Sequence, residues 1–535
     1  MSNDQPTHAS TWSPLRQSLF RALWFASVAS NIGTWMQNVG AAWLMTSLAP
    51  SPTMVALVQA ATSLPVFLVG LPAGAVADLI DRRRLLLATQ GWMLAAASML
   101  GVLTIMDAIT PWNLLTLTFA LGLGAAMNAP AWQAIIPELV GDDDLKAAVT
   151  LNGIGYNVAR AVGPALGGIV VATLGSGAVF MFNACSFLGV MVVLYRWRRT
   201  VTVSALPAED VFGAMRSGIR YVRHASAVRA VLLHTAVFIL GGSALWALLP
   251  LVARDELALD ATGYGVILGC LGAGAVAGGL LLPRLERWLS ADALLASAIA
   301  LFALATAGPV YARHFVLLCA VMIVGGVAWI AIMSTFNVAA QVTVPAWVRA
   351  RALGVYGIVS QGGMALGSAF WGLVAERVSL STTLLLAAAT LAVGIAATLR
   401  YRLRLDEEID LTPSQHWPEP ILSMHPEPDA GPVLVTVEYE IDVGRARDFV
   451  AAMHNVRIQR LRDGAYRWGL YNDSATPTRF VETFVVESWA DHLRQHERVT
   501  VADREVEDIV RAFHIGAAPP SISHLIYARV SATKT

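Results

Sequence analysis

Four side chains, Asn31, Thr34, Trp35 and Asn38, recur at i, i+3, i+4 and i+7 inside an otherwise apolar stretch. That spacing puts them on one face of a helix. A second stripe runs through Gly153, Asn157, Arg160, Pro164 and Gly167, with Tyr156 beside it, and a third through Ser334, Asn337 and Gln341. Their chemistry is hydrogen bonding plus one fixed positive charge, which suits the lining of a polar cavity. Asn128, His234, Trp246 and Gln361 are further candidates. For Asn and Gln, hydrogen bonding from helix to helix is an equal alternative. Arg160 lies 13 residues into the stretch 147–173, too deep to reach the surface by snorkelling. No Asp or Glu occupies the middle of any such stretch, so the charge needs water, carbonyls or an anionic ligand, or else it holds its helix in place. His234 is the one histidine inside these stretches, and its type suits proton coupling, although a packed or hydrogen-bonded histidine is the simpler reading.

The elements that must carry these residues are membrane helices. The chain is 56% hydrophobic and 14% charged, well below the roughly 25% charge of soluble domains. Apolar and polar-studded stretches predict twelve spans near 19–47, 54–77, 85–107, 113–134, 147–173, 177–195, 230–252, 262–283, 292–311, 315–340, 350–375 and 380–400. Met1–Ser18 has no apolar core, so no signal peptide is expected. Basic residues concentrate between alternate spans, as at Arg82–Arg84, Arg196–Arg199 and Arg216–Arg229. The intervening loops hold only Arg254, Arg313 and Arg377. Lys and Arg stay on the cytoplasmic side, so both termini are expected there, in an inner-membrane, multi-pass protein. Cys185, Cys270 and Cys319 have no ligand-like spacing, and neither a disulfide nor a metal is suggested.

The net charge of zero hides two compartments: residues 1–404 carry 24 Lys and Arg against 16 Asp and Glu, whereas 405–535 carry 13 against 21. Within the first, "AGAVA" at 73–77 returns at 273–277, and "GPALGG" at 163–168 meets "GMALGS" at 363–368, both at one offset of 200. An internal repeat of six plus six helices follows. Its parts are a segment at 1–18, a first bundle at 19–197, a connector with an amphipathic helix at 198–229, and a second bundle at 230–404.

"GAVADLIDRRRLL" resembles the loop motif between the second and third helices of major facilitator transporters, with Leu79 and Asp81 at positions where a basic residue and a glycine are usual. "GPALGG" is similar to the fifth-helix motif of exporters. "APAWQAIIPELV", "LNGIGYNVARAVGPALGG" and "VPAWVRARALGVYGIVSQGG" together resemble the enterobactin exporter-like, transmembrane secretion effector branch, over roughly 12–404. The resemblance implies an all-α membrane protein of 12 transmembrane helices in the major facilitator fold. It also implies secondary export of a small drug- or siderophore-like molecule by alternating access, coupled to protons. Gly74 and Ala77 lack bulk and let the second helix approach a neighbour. By the same resemblance, Asp78 faces the positive N-terminus of the eleventh helix near Arg349–Ala352, and Arg82, Arg83 and Arg84 pair with acids or lipid phosphates. Together they form a latch on the cytoplasmic face; the alternative is that the arginines only enforce topology. Gly163, Pro164, Gly167 and Gly168 form a motif that kinks and loosens the fifth helix.

Residues 405–431 are acidic and proline-rich, an extended linker. After it, 432–535 reads as βαββαβ: strands at 433–440, 465–471, 479–488 and in "ISHLIYA", a helix at 445–461 with Phe449, Met453 and Val456 on one stripe, and two short helices before the last strand. That order resembles α+β ferredoxin-like modules of antibiotic-biosynthesis-type monooxygenases, which pair into dimers. His492 and His496 share a helix face at i, i+4, a spacing that can hold a metal. With no third ligand beside them, a solvated or dimer-interface face is expected. No catalytic residue, cofactor or nucleic-acid partner is expected, and a dimerising or ligand-sensing tail is favoured. The alternative is an enzyme–transporter fusion whose tail modifies the cargo.

Overall fold

The computed structural model describes residues 12–197, 211–400, 410–417 and 426–528. Residues 1–11, 198–210, 401–409, 418–425 and 529–535 lie outside it, and with them most of the expected N-terminal segment and parts of the connector and the linker. The chain forms two compact units. One comprises Met1–Pro207, Leu232–Asn337 and Tyr356–Arg404; the other comprises Ala208–Val231, Val338–Val355 and Leu405–Thr535.

Long helices build the first unit: α1 (Ser18–Leu48), α2 (Pro52–Leu79), α3 (Arg82–Ile105), α4 (Pro111–Leu139), α5 (Asp142–Leu174) and α6 (Ser176–Arg196). After α7 (Val211–His224) come α8 (Ser226–Leu251), α9 (Ala261–Leu285), α10 (Ala291–Tyr311), α11 (Phe315–Val342), α12 (Arg349–Arg377) and α13 (Leu380–Arg400). Among the described residues ten helices are long and apolar enough to cross a membrane. The expected first span coincides with α1, and the expected twelfth with α13, whose apolar part is Leu380–Ala396.

Small residues set how closely these helices pack, because lipid provides no hydrophobic drive between them. On α5 the glycines serve two neighbours. A methyl group added at Gly163 or Gly167 would meet α1 at Trp35 Cβ (2.6 Å) or Met36 Cα (2.7 Å), and one at Gly168 would fall 3.0 Å from Gly265 Cα of α9. From the α9 side, a methyl at Gly265 or Gly272 would lie 2.8 Å from Gly168 Cα or 2.9 Å from Ala161 Cα. Pro164 sits inside a continuous α5 and denies the Arg160 carbonyl its helical N–H. The exporter-like motif is therefore a two-sided packing surface in this structure.

The second unit gathers α7, the start of α8, residues 338–355 and the tail. In the tail, β1 (Val433–Glu440), α14 (Ala446–Asp463), β2 (Arg467–Asn472), β3 (Arg479–Val486), α15 (Trp489–Arg498), α16 (Val501–Arg511) and β4 (Ser521–Ile526) follow the expected order. The sheet is antiparallel throughout, in the order β2-β3-β1-β4. Alternation buries Val433, Val435 and Val437 of β1, and the α14 stripe of Phe449, Met453 and Val456 closes over them. Residues 410–417, expected as free linker, instead pack on this domain: Val501 N donates to Thr412 O (3.0 Å), and Trp417 Nε1 donates to Glu507 Oε2 (3.0 Å).

Inside the tail, Arg460 is buried between two buried carboxylates, donating to Glu482 Oε1 (3.1 Å) and Glu507 Oε1 (2.6 Å). Burial alone would raise the Glu507 pKa, but Arg460 and hydrogen bonds from His416, Arg460 and Trp417 outweigh it and lower it from 4.5 to about 2. Removing Arg460 takes away the guanidinium shared by the two buried acids, leaving Glu482 with Tyr439 and Trp468 and Glu507 with His416 and Trp417. Arg460→Met is expected to destabilise the tail by roughly 3–5 kcal/mol, read by urea unfolding followed through tryptophan fluorescence. Because the folded Glu507 pKa is depressed, its contribution is complete above pH 4.5 and is lost as pH falls from 4.5 toward about 2. A wild-type urea midpoint that does not fall across that window would contradict the assignment.

Candidate functional site

α1 has two working faces. Gly33 and Gln37 lie against α6, where Asn183 Nδ2 donates to Gln37 Oε1 (2.5 Å). The predicted stripe lies on the other side. Trp35 and Asn38 line a cavity of ≈ 510 Å³ including its mouth, between α1, α2, α8 and α9. Its other walls include Gln59 and Thr62 of α2, Trp246 of α8 and Tyr264 of α9. Aromatic neighbours brace these walls: Trp43 stacks on Tyr264 at 6.0 Å, and Trp246 meets Trp329 edge-on at 5.3 Å.

Arg160 is 9% exposed, and its guanidinium carbon lies 5.9 Å from the centre of the Trp246 ring. Its Nε and Nη2 are buried without a hydrogen-bond partner, as is Trp246 Nε1. All three atoms are donors. The cation has an aromatic face for company; of these donors the cavity lining includes that of Trp246, with Arg160 behind its ring.

The remaining sequence candidates separate. Thr34 is exposed, and Asn31 Nδ2 makes a long contact to Ser27 Oγ (3.5 Å). Asn128 is engaged between helices, accepting from Thr89 Oγ1 (3.0 Å) and Gln90 Nε2 (3.4 Å) of α3. Asn157 Nδ2 donates to the Gly153 carbonyl of its own helix (2.9 Å). Tyr156 stands edge-on to Trp35, with ring centres 6.4 Å apart. His234 is buried in α8, Asn337 is exposed on α11, and Gln361 is half-buried on α12. Gln59, Thr62 and Tyr264 were not among the sequence candidates. Gln59 and Thr62 sit at i, i+3 in a stretch without charge, a two-residue signal shorter than the stripes that stood out.

At the arginine-rich end, Arg82 pairs with Glu138 (2.8 Å), an acid as expected. Arg83 instead caps α6, donating from Nε to Leu194 O (2.8 Å) and from Nη2 to Tyr195 O (2.6 Å). Arg84 is exposed, and its backbone N–H is accepted by Asp81, the N-cap of α3. This cluster ties α3, α4 and α6 together. The Asp78 side chain lies outside the described residues. The close approach expected at Gly74 is not seen, since a methyl added there meets nothing within 4 Å among the described residues; Ala77 is packed in the core beside Leu85 and Ile135. At the opposite end α2 and α12 are joined. Thr53 and Ser51 hydrogen-bond to the Glu376 carboxylate, and a methyl on Gly372 would come within 2.6 Å of Ala56 Cβ.

The sequence profile of the transmembrane secretion effector family matches residues 9–532. The multidrug efflux pump Tap of Mycolicibacterium fortuitum is 26% identical over 405 residues, covering 72% of this chain and 96% of that protein. The staphyloferrin A transporter of Staphylococcus aureus is 23% identical over 298 residues, covering 55% of this chain and 74% of that protein. Among solved structures, a bacterial homologue of the human lysosomal transporter Spinster, in its inward-facing and unoccupied conformation, superposes with a TM-score of 0.59 at 15% identity, over 74% of this chain and 98% of its own. The nucleoside transporter NupG gives 0.60 at 15% identity, over 72% and 100%.

The α5–α9 contact provides a direct test. Gly168→Val forces atoms into backbone already in contact, and overpacking of this kind costs about 1–3 kcal/mol. The detergent-solubilised variant is expected to melt several degrees lower. Gly153→Val, at a position where an added methyl meets nothing within 4 Å, is expected to melt like the parent. Equal melting of the two variants would refute close packing at Gly168.

Proposed function

This chain belongs to the transmembrane secretion effector family of major facilitator type transporters, and from that membership we propose that it exports a small organic molecule across the cytoplasmic membrane by alternating access. Twelve spans in two six-helix halves, with both termini cytoplasmic, complete the reading. The observation that carries it is the aromatic-walled cavity of α1, α2, α8 and α9, whose wall residue Trp246 has a buried, unpartnered Nε1 and is backed by Arg160, itself buried with two unpartnered nitrogens. Such a wall suits a cargo with a flat apolar part and a negatively charged or acceptor-rich group, a description that fits both drug-like and siderophore-like molecules. The printed functions of the relatives, multidrug efflux and staphyloferrin A transport, fall in the same range. His234 is the histidine available for proton coupling. The strand order β2-β3-β1-β4 supports the ferredoxin-like reading of the tail, and its packing beside α7 and residues 338–355 supports a sensing role.

The closure of α2 on α12 at Glu376, together with the absence of any described residue within 4 Å of a methyl added at Gly74, supports an inward-facing state. In the other state Asp78 and Arg84 would close the arginine-rich end as a latch. Asp78→Asn removes charge without shortening the side chain, so efflux is expected to fall at least about tenfold, which is roughly 1.4 kcal/mol of latch energy, with membrane insertion unchanged. Normal efflux at normal protein level would sink the latch.

For the cavity, Arg160→Ala is expected to weaken export of anionic cargo much more than that of neutral or cationic cargo. Arg160→Lys should retain part of it, because Lys keeps the charge and loses the planar fork. Efflux of a charge-varied panel, normalised to protein level, reads this. Equal loss for every cargo would assign Arg160 to structure alone.

A further inference from the structure

The tail contains a cluster that the transport reading does not use. His492 and His496 lie one turn apart on α15, and His524 joins them from β4, 28 residues beyond His496. His524 stands opposite Val435 in the sheet register, on the face that the helices cover. The solvated face expected for the helix pair is not found: His492 is fully buried, and His496 and His524 are half-buried.

One ring nitrogen of each residue lies within 4.8 Å of one from each of the others. His492 Nε2 and His496 Nε2 are 3.3 Å apart, and the His492 ring centre is 4.6 Å from that of His524. Tetrahedral zinc with bonds of about 2.0–2.1 Å places two ligand nitrogens about 3.3 Å apart. One edge of such a site already has its length. The widest pair needs to close by roughly 1.5 Å to reach that spacing, and His524, half-exposed on the edge strand of the sheet, has room to move.

We propose that His492, His496 and His524 form a three-nitrogen site for a divalent transition-metal ion of the zinc class, with a fourth position open to water or another ligand. Three neutral imidazoles suit such an ion. Burial, and then the neighbouring histidines, lower the His492 pKa to about 3; burial and His524 lower that of His496 to about 4, and burial lowers that of His524. The 3.3 Å contact between His492 Nε2 and His496 Nε2 is a hydrogen bond that a bound ion would replace. Trp489 packs edge-on to His524 at 6.0 Å, and Trp417 edge-on to His496 at 4.9 Å, so an aromatic ring flanks each of the two half-buried histidines.

The site is independent of transport and is tested without it. The full chain is purified in detergent without a polyhistidine tag, stripped with a chelator, and titrated with Co²⁺ and then Zn²⁺. The expected result is a visible absorption band of four-coordinate Co²⁺, saturating at one ion per chain and displaced by Zn²⁺. Loss of even an outer-shell partner costs roughly 10–100-fold in affinity, so His524→Gln, which replaces a direct ligand, is expected to weaken binding by about 100-fold or more. His496→Asn is the second variant, and far-UV circular dichroism establishes that each is folded. Absence of the band in the parent, or parent-like affinity in folded His524→Gln or His496→Asn, would overturn the proposal.

Discussion

The transport half depends on backbone meeting backbone along α5 and α9. Gly168 and Gly265 approach so closely that a methyl on either would enter the other's main chain, and Gly272 meets Ala161 in the same way. Between helices in lipid, dispersion and weak Cα–H contacts replace the hydrophobic effect, and both need short distances. The same α5 holds α1 through Gly163 and Gly167. Thus the helix carrying Arg160 is fixed on two sides by residues with no side chain to adjust. The cavity inherits its geometry from that seam: Trp35 comes from α1, Tyr264 from α9, and Arg160 reaches the Trp246 ring from α5.

The two units solve the problem of a buried arginine in opposite ways. Arg460 in the tail has two carboxylates within hydrogen-bonding distance, and its guanidinium carbon lies 4.8 Å from the Trp417 ring centre. Every partner is supplied by the chain, so the group is structural. Arg160 has the Trp246 face and no acceptor for two of its nitrogens. The contrast is one of hydrogen-bond supply, complete around Arg460 and incomplete around Arg160.

Much of the architecture was legible in the sequence because it follows from periodicity. Runs without charge located the helices, the strand alternation of β1 and the Phe449, Met453 and Val456 stripe located the tail core, and the stripe through Trp35 and Asn38 pointed into the cavity. Pairwise geometry was less legible. Asn128 has the composition of a cavity residue, yet Thr89 and Gln90 engage it, and nothing in a one-dimensional pattern ranks those outcomes. The glycines of α5 read as a flexible point, whereas their direction toward two different helices emerges only from the assembled bundle. His524 was hidden for a similar reason. A lone histidine in a strand carries no metal-like spacing, and only the register of β4 brings it to α15.

The makeup of the second unit bears on the order in which the protein is made. Its interior joins α7, residues 338–355 and the tail: Tyr221 of α7 meets Trp347 edge-on at 5.6 Å, Arg462 of α14 lies over Tyr221 at 5.4 Å, and Arg498 of α15 lies over Trp347 at 4.3 Å. These partners leave the ribosome far apart in time. Domains generally fold as units during synthesis, N-terminal first, but α7 must wait for more than two hundred further residues before its tail partners exist. The unit is complete only after all of the long helices have been synthesised. Tyr221 and Trp347 spend that interval without the arginine faces that later cover them.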